Sequence, residues 1–174
     1  MPSPLGHALG GAIVGFAVVP GLAAASNWRA NPMWLVVAAA VGPDLDFLWG
    51  RHNQETHSLG AAIAAGAIAF AWTRRPRLAL AVTLAWASHV LFDWLGSDTT
   101  PPLGVMALWP LWRDYYFADA FIFEAISRRY WLDNFVSHNV WAVAREVLIL
   151  GPVLAAVIAL RSRAPRRSRR PGTG

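Results

Sequence analysis

Two carboxylates and two imidazoles fall in the stretch from Gly42 to Ser58: Asp44, Asp46, His52 and His57. An apolar segment precedes this stretch and another follows it. A charge beside hydrocarbon is costly unless it is paired, hydrated or bound to a metal. Asp and His together supply the oxygen and nitrogen ligands that divalent metals take. Further on, His89 and Asp93 form H-x-x-x-D. Residues four apart share a helix face, so both can reach one ion. His7 sits in the first apolar run. Each group has an ordinary reading when taken alone. Asp is a common turn residue, and Thr56 or Ser58 can cap a helix. His89 and Asp93 can share a hydrogen bond, and His7 can make a polar contact between helices. Taken together, three His and three Asp suit a site holding more than one metal. Metal-bound His also needs a carboxylate or carbonyl behind it. Asp46, Asp98, Asp119 and Glu146 are available for that. Glu146 follows Asn139 by seven residues and shares its helix face. His138 reads as an ordinary interfacial His.

The elements that must position these groups read as membrane helices. Of the 174 residues, 56% are hydrophobic and 14% charged. Soluble domains carry about a quarter charged residues, so this chain reads as a membrane protein. Its 10 Trp suit the membrane–water interface. The absence of Cys excludes disulfides, thiolate metal sites and Cys nucleophiles. Five apolar spans are expected: Leu5 to Ala25, Met33 to Trp49, Ser58 to Thr73, Leu78 to Gly96, and Val140 to Leu160. The second should break near Gly42-Pro43, where Pro removes a donor and disfavours helix before it. The region from Ser97 to Ser137 is aromatic and mixed in charge. Within it, Phe117 to Tyr130 is expected to form an amphipathic helix in the interface. The fold class is therefore an all-α, multi-pass helical bundle. One embedded domain covers residues 1–160, and a basic disordered tail covers 161–174. The net charge of +5 comes largely from that tail. After an apolar helix, such a tail is a cytoplasmic anchor near anionic lipid rather than a specific nucleic-acid site.

Arginine placement sets the orientation. With the tail in the cytoplasm, the inner segments hold ten Arg and the outer segments four. The N-terminus is then outside. In that arrangement His7, Asp44, Asp46, His57, His89 and Asp93 all lie at the outer ends of their spans, at one level.

These residues resemble the YdjM-like, membrane-bound, predicted metal-dependent hydrolases. The resemblance rests on His7 in a Gly-rich helix, Pro43-Asp44-Leu45-Asp46, and His52 five residues before His57 in Thr56-His57-Ser58. It continues through His89-Val90-Leu91-Phe92-Asp93-Trp94, Asp98-Thr99-Thr100-Pro101-Pro102-Leu103-Gly104 and Leu108-Trp109-Pro110. It covers most of the chain except the tail. Family members often carry Arg-Gly where Asn53-Gln54 stands here. The family is distantly similar to the α-helical zinc phospholipase C and S1/P1 nuclease group. That group's order of ligands is similar to His7, Asp44, His57, His89 and Asp93, while its further His and Glu ligands have no match here.

The resemblance implies a bacterial inner-membrane hydrolase, with phosphoester cleavage the best match. The metal ligands would be His7, Asp44, His57, His89 and Asp93, with Zn²⁺ expected and Mn²⁺ an alternative. The ion would lower the pKa of a bound water and polarise a phosphoryl oxygen. Asp46 or His52 would serve as general base or support the ligands, and Asp98 would handle substrate. A site at the membrane surface suggests a lipid or lipid-linked phosphoester. Two other readings remain open at this point: an ion transporter, and a non-catalytic metal-binding membrane protein whose ion staples helices. The Arg asymmetry carries its own test. Reporter fusions at the tail and in the Arg74–Arg77 turn should both report cytoplasm. An outside signal from either one overturns the orientation.

Overall fold

The computed structural model describes residues 1–19, 31–49, 53–99 and 101–163. Among these residues there are five α-helices and one 3-10 helix. Helix α1 (Pro4–Val18) starts where Ser3 accepts a hydrogen bond from Gly6 N and Pro4 presets the first turn. Helix α2 (Met33–Val41) continues into the 3-10 helix (Gly42–Trp49). The switch falls at Gly42-Pro43, as expected from the missing Pro donor. Helix α3 (Leu59–Thr73) is capped by Ser58, whose Oγ accepts from Ala61 N at 3.0 Å. Arg74 ends α3 in the left-handed region at φ 56, and Pro76 opens helix α4 (Pro76–Leu95). Helix α5 (Phe135–Arg163) runs through Pro152. The first three residues of the expected tail thus belong to α5, and residues 164–174 lie outside the described residues.

Helices α1 and α4 are the centre of the bundle. Helix α1 packs on α2, α4 and α5, while α4 packs on α1, α2 and α3. Close approach needs small residues. A Cβ on Gly11 would lie 2.7 Å from Ala40 Cβ and 3.1 Å from Val37 Cα, so α1 and α2 touch nearly backbone to backbone. The apolar core is Val36, Ala39 and Ala40 of α2, Ala69 of α3, and Leu78, Ala81, Val82 and Ala85 of α4. On α5 the buried residues are Ala142, Glu146 and Leu150, a single stripe four residues apart. The rest of that helix shows apolar side chains to the outside, with Leu148 68% and Leu160 69% exposed. Ile63, Ile68 and Trp72 do the same on α3. Such faces suit lipid rather than water.

One expectation is met in part and one needs correction. The first concerns span length. A helix needs about 20 residues to cross the hydrocarbon. Only α4, with 20 residues, and α5, with 29, are long and apolar enough among the described residues. Helices α1 and α3 have 15 residues each, and α2 has 9 before it tightens. The expected end of the first span, residues 20–25, lies outside the described residues.

The second concerns Phe117 to Tyr130, which is not helical. Asp119 and Phe121 have φ of 51 and 47, which no right-handed helix tolerates. The segment instead pairs with distant backbone. Ala118 N donates to Trp94 O at 3.2 Å, Ile122 N to Leu95 O at 3.0 Å, and Ser97 N to Phe123 O at 2.9 Å. It crosses the end of α4 as a strap.

The Gly11 contact yields a stability test. Gly11→Ala forces α1 and α2 apart and should cost about 1–3 kcal/mol. Gly151 on α5 has open space, with its nearest neighbour Val147 Cγ1 at 3.9 Å from a built Cβ. Gly151→Ala should be neutral or stabilising by up to about 1 kcal/mol. Thermal unfolding in detergent measures both. Equal midpoints for the two variants would rule out the tight α1–α2 contact.

Candidate metal centre

Helix α4 brings two of the groups together directly. His89 and Asp93 lie on its inner face, both fully buried, with His89 Nε2 3.0 Å from Asp93 Oδ2. The 3-10 helix brings Asp44, whose Oδ1 is 3.7 Å from His89 Nε2. His57 comes from the loop that leads into the Ser58 cap. Its Nε2 is 3.3 Å from Asp93 Oδ2 and 3.6 Å from Asp44 Oδ1. Helix α1 adds His7, whose Nε2 is 3.4 Å from the other Asp93 oxygen, Oδ1. The His7 and His89 rings stack at 3.7 Å. All five expected ligands therefore meet in one place.

The residues fit a metal ion on two counts. Tetrahedral nitrogen and oxygen ligands at about 2.0–2.1 Å from an ion stand about 3.3 Å from one another. The four Asp–His separations among Asp44, His57, His89 and Asp93 run from 3.0 to 3.7 Å, and all four ligand atoms lie within 4.8 Å of one another. Second, both His7 ring nitrogens, His89 Nε2 and both Asp93 oxygens are buried without a hydrogen-bond partner. Orphaned buried polar atoms are rare and costly. An ion in their midst would satisfy them.

Supporting contacts fix the ligands in orientation. His89 Nδ1 lies 2.7 Å from Ala40 O, which makes Nδ1 the donor and leaves Nε2 as the ligand atom. That carbonyl is free for a local reason. Where the backbone tightens to i→i+3, the partner of Ala40 O is residue 43, and Pro43 has no N–H. Asp46 Oδ2 sits 3.1 Å from His57 Nδ1 and accepts from Thr56 Oγ1 at 2.7 Å. Trp86 Nε1 ties the same loop to α4 by donating to Thr56 O at 2.7 Å. Burial disfavours a proton on His57, but hydrogen bonding to Asp44 and Asp46 and the Asp93 charge outweigh it. The pKa of His57 is raised to about 9. The carboxylates thus create a strong demand for a cation at this point.

Other expected groups lie elsewhere. Asp46 stands behind His57, in a position to orient its ring. Asp98 accepts from Gly104 N at 2.9 Å and closes the turn before Gly104, outside the four converging ligands. Asp119 is exposed. Glu146 is buried and accepts from Ser3 N at 2.6 Å and from Ser3 Oγ, so it grips the first turn of α1, which carries His7. His138 contacts Ala125 O at 2.8 Å and plays no part in the cluster. His52 lies outside the described residues. The Ala40 carbonyl was not legible in the sequence by residue type; the apolar run broken at Gly42-Pro43 was its one signal.

The centre opens on one side. Asp44 is the ligand with an exposed edge, 19% of its side chain, and it lines a cavity of about 340 Å³ together with Phe47 and Arg128. On the opposite side, the buried residues of α4 turn wholly apolar, from Ala85 back to Leu78.

No curated protein and no solved structure matches the chain. The family described as YdjM inner membrane protein matches residues 1–165, and the chain belongs to that family.

Proposed function

We propose that this chain is a membrane-bound, metal-dependent hydrolase acting on a phosphoester. The observation that carries the reading is the convergence of Asp44, His57, His89 and Asp93 on one point, where His89 Nε2 and both Asp93 oxygens are buried without a hydrogen-bond partner. A ligand set of imidazole and carboxylate suits Zn²⁺, with Mn²⁺ the alternative. Such an ion supplies Lewis acidity toward an oxygen of the substrate. The chain's own residues do the rest. His57 and His89 present Nε2, held by Asp46 and the Ala40 carbonyl. Asp93 turns one oxygen to those two rings and the other to His7. Asp44 forms the edge that faces the cavity, where a substrate would enter. Asp98 sits on the loop beyond α4 and is proposed to act on substrate rather than on metal.

The reading includes five spans, an outer N-terminus, an inner tail and a site at the outer face, which the asymmetry of Arg along the sequence supports. An ion path would need polar groups along the bundle. The buried polar side chains of α4 stop at His89, and the core beyond is apolar among the described residues. That observation favours the hydrolase over the transporter.

Metal content per protein, measured beside turnover on a panel of phosphoesters, tests the reading. His89→Ala and Asp93→Ala should lose metal and activity together. Asp46→Asn should weaken metal affinity about 10–100-fold, as expected for a residue that orients a ligand. Asp98→Asn should keep its metal and lose activity. Full activity in metal-free protein would end the hydrolase proposal. Full metal content in His89→Ala would reduce the H-x-x-x-D pair to a structural contact.

A second test follows from His57. With a pKa raised to about 9, it carries a proton at neutral pH, and a metal ion must displace that proton. Metal affinity should therefore rise with pH from 6 toward 9. Titration calorimetry at pH 7.5, in two buffers of different ionisation enthalpy, should show at least one proton released per metal centre. Binding without proton release contradicts His57 as a ligand.

A further inference from the structure

The cavity beside Asp44 is lined by Met1, Pro2, Pro4, Phe47 and Ile126 together with Asp44 and one cationic side chain, Arg128; the Met1 ammonium is already engaged, donating to Ser97 O at 2.6 Å. Arg128 is not left there by a loosely held loop. Ser127, just before it, is clamped by Asn139 of α5, which accepts from Ser127 N at 2.8 Å and donates to Ser127 O at 3.0 Å. Ile126 N donates to Met1 O at 3.1 Å. The backbone that projects Arg128 is therefore fixed to both α5 and the start of α1. Its guanidinium has no ion pair or hydrogen bond among the described residues. Arg145 behaves otherwise, being engaged by Phe121 O and Glu124. Arg128 is exposed, so a guanidinium on fixed backbone, unpaired and beside the opening to the centre, is available to an anion from outside.

We infer that Arg128 is the anion-binding residue of a substrate subsite for an amphiphilic alkyl phosphate. The phosphate would lie between the guanidinium and the Asp44 edge of the metal centre. The hydrocarbon would lie on Phe47 and Ile126, which offer no polar partner to a sugar or a peptide. Phe47 is 52% exposed, as a surface waiting for an apolar substituent would be. The cavity of about 340 Å³ is at the small end of ligand sites, enough for a head group and its first carbons. This inference rests on the phosphoester reading of the metal centre, and its test reads binding rather than turnover.

Metal-loaded, full-length protein in detergent is titrated with inorganic phosphate, methyl phosphate and hexyl phosphate by calorimetry. Arg128→Ala should weaken all three about tenfold with metal content unchanged. Arg128→Lys should recover part of that loss. Hexyl phosphate should bind wild type at least tenfold more tightly than methyl phosphate, and Phe47→Ala should remove most of that difference. Equal phosphate affinity in wild type and Arg128→Ala, or no phosphate binding to wild type, overturns the subsite. Equal affinity for hexyl and methyl phosphate overturns the amphiphile and leaves a small soluble phosphoester as the ligand. If no phosphoester is turned over while binding still requires Arg128, the hydrolase reading fails and the subsite stands.

Discussion

A fully buried carboxylate, Asp93, sits in an apolar bundle with three imidazoles around its two oxygens. An isolated ionised carboxylate in such a medium is prohibitively costly. Its cost is what the surrounding elements are arranged to offset. Helix α4 places His89 one turn before it. Helix α1 reaches it with His7, and the Ser58-capped loop reaches it with His57. Each of these elements has a separate device holding it in place. Glu146 grips the first turn of α1, Trp86 ties down the Thr56 carbonyl, and Ala40 fixes the His89 ring. Loss of any one device leaves the carboxylate less well compensated, so the packing and the chemistry of this centre are one problem.

The same economy explains the small residues. Imidazoles from α1 and α4 can stack at 3.7 Å only if those helices lie close. A Cβ on Gly10 would meet Phe92 and Ser88 of α4, and one on Gly6 would meet Glu146 of α5. Glycines on α1 thus serve two neighbours at once. In lipid, helix association draws little from the hydrophobic effect and relies on such close packing.

The ligand set was legible in the sequence because it depends on local rules. A four-residue spacing on a helix, a Pro-broken apolar run and a Ser cap each act over a few residues. His7, Asp44, His57, His89 and Asp93 follow from these rules together with alternating helix direction. The region from Ser97 to Phe135 was not legible. Its hydrogen bonds run between irregular backbone segments, such as Ser97 with Phe123 and Val105 with Tyr116, and leave no side-chain period to read. Besides Gly104, positive φ falls on Asp119 and Phe121, so within the segment from Phe117 to Tyr130 the usual glycine signal was missing. Glu146 was visible as an available carboxylate, but its partner Ser3 lies 143 positions away. Helix length was legible only in part. An apolar run need not be helical to its end, and α2 gives up its regular geometry where the site requires it.

Helix α4 combines the length and apolarity to cross a membrane with a polar centre in one element. Its first half buries Leu78, Ala79, Ala81, Val82 and Ala85, and its second half buries His89 and Asp93. The apolar half packs against α2 and α3 and asks nothing of solvent. Such a polar half is costly at a bilayer centre and tolerated more readily near a bilayer surface. Only Asp44, at the rim, keeps contact with the outside. The break at Pro43 puts it there. By ending regular helix one turn early, it turns a carboxylate outward and frees the Ala40 carbonyl inward for His89. A single residue without an N–H thus shapes both the mouth of the centre and its floor.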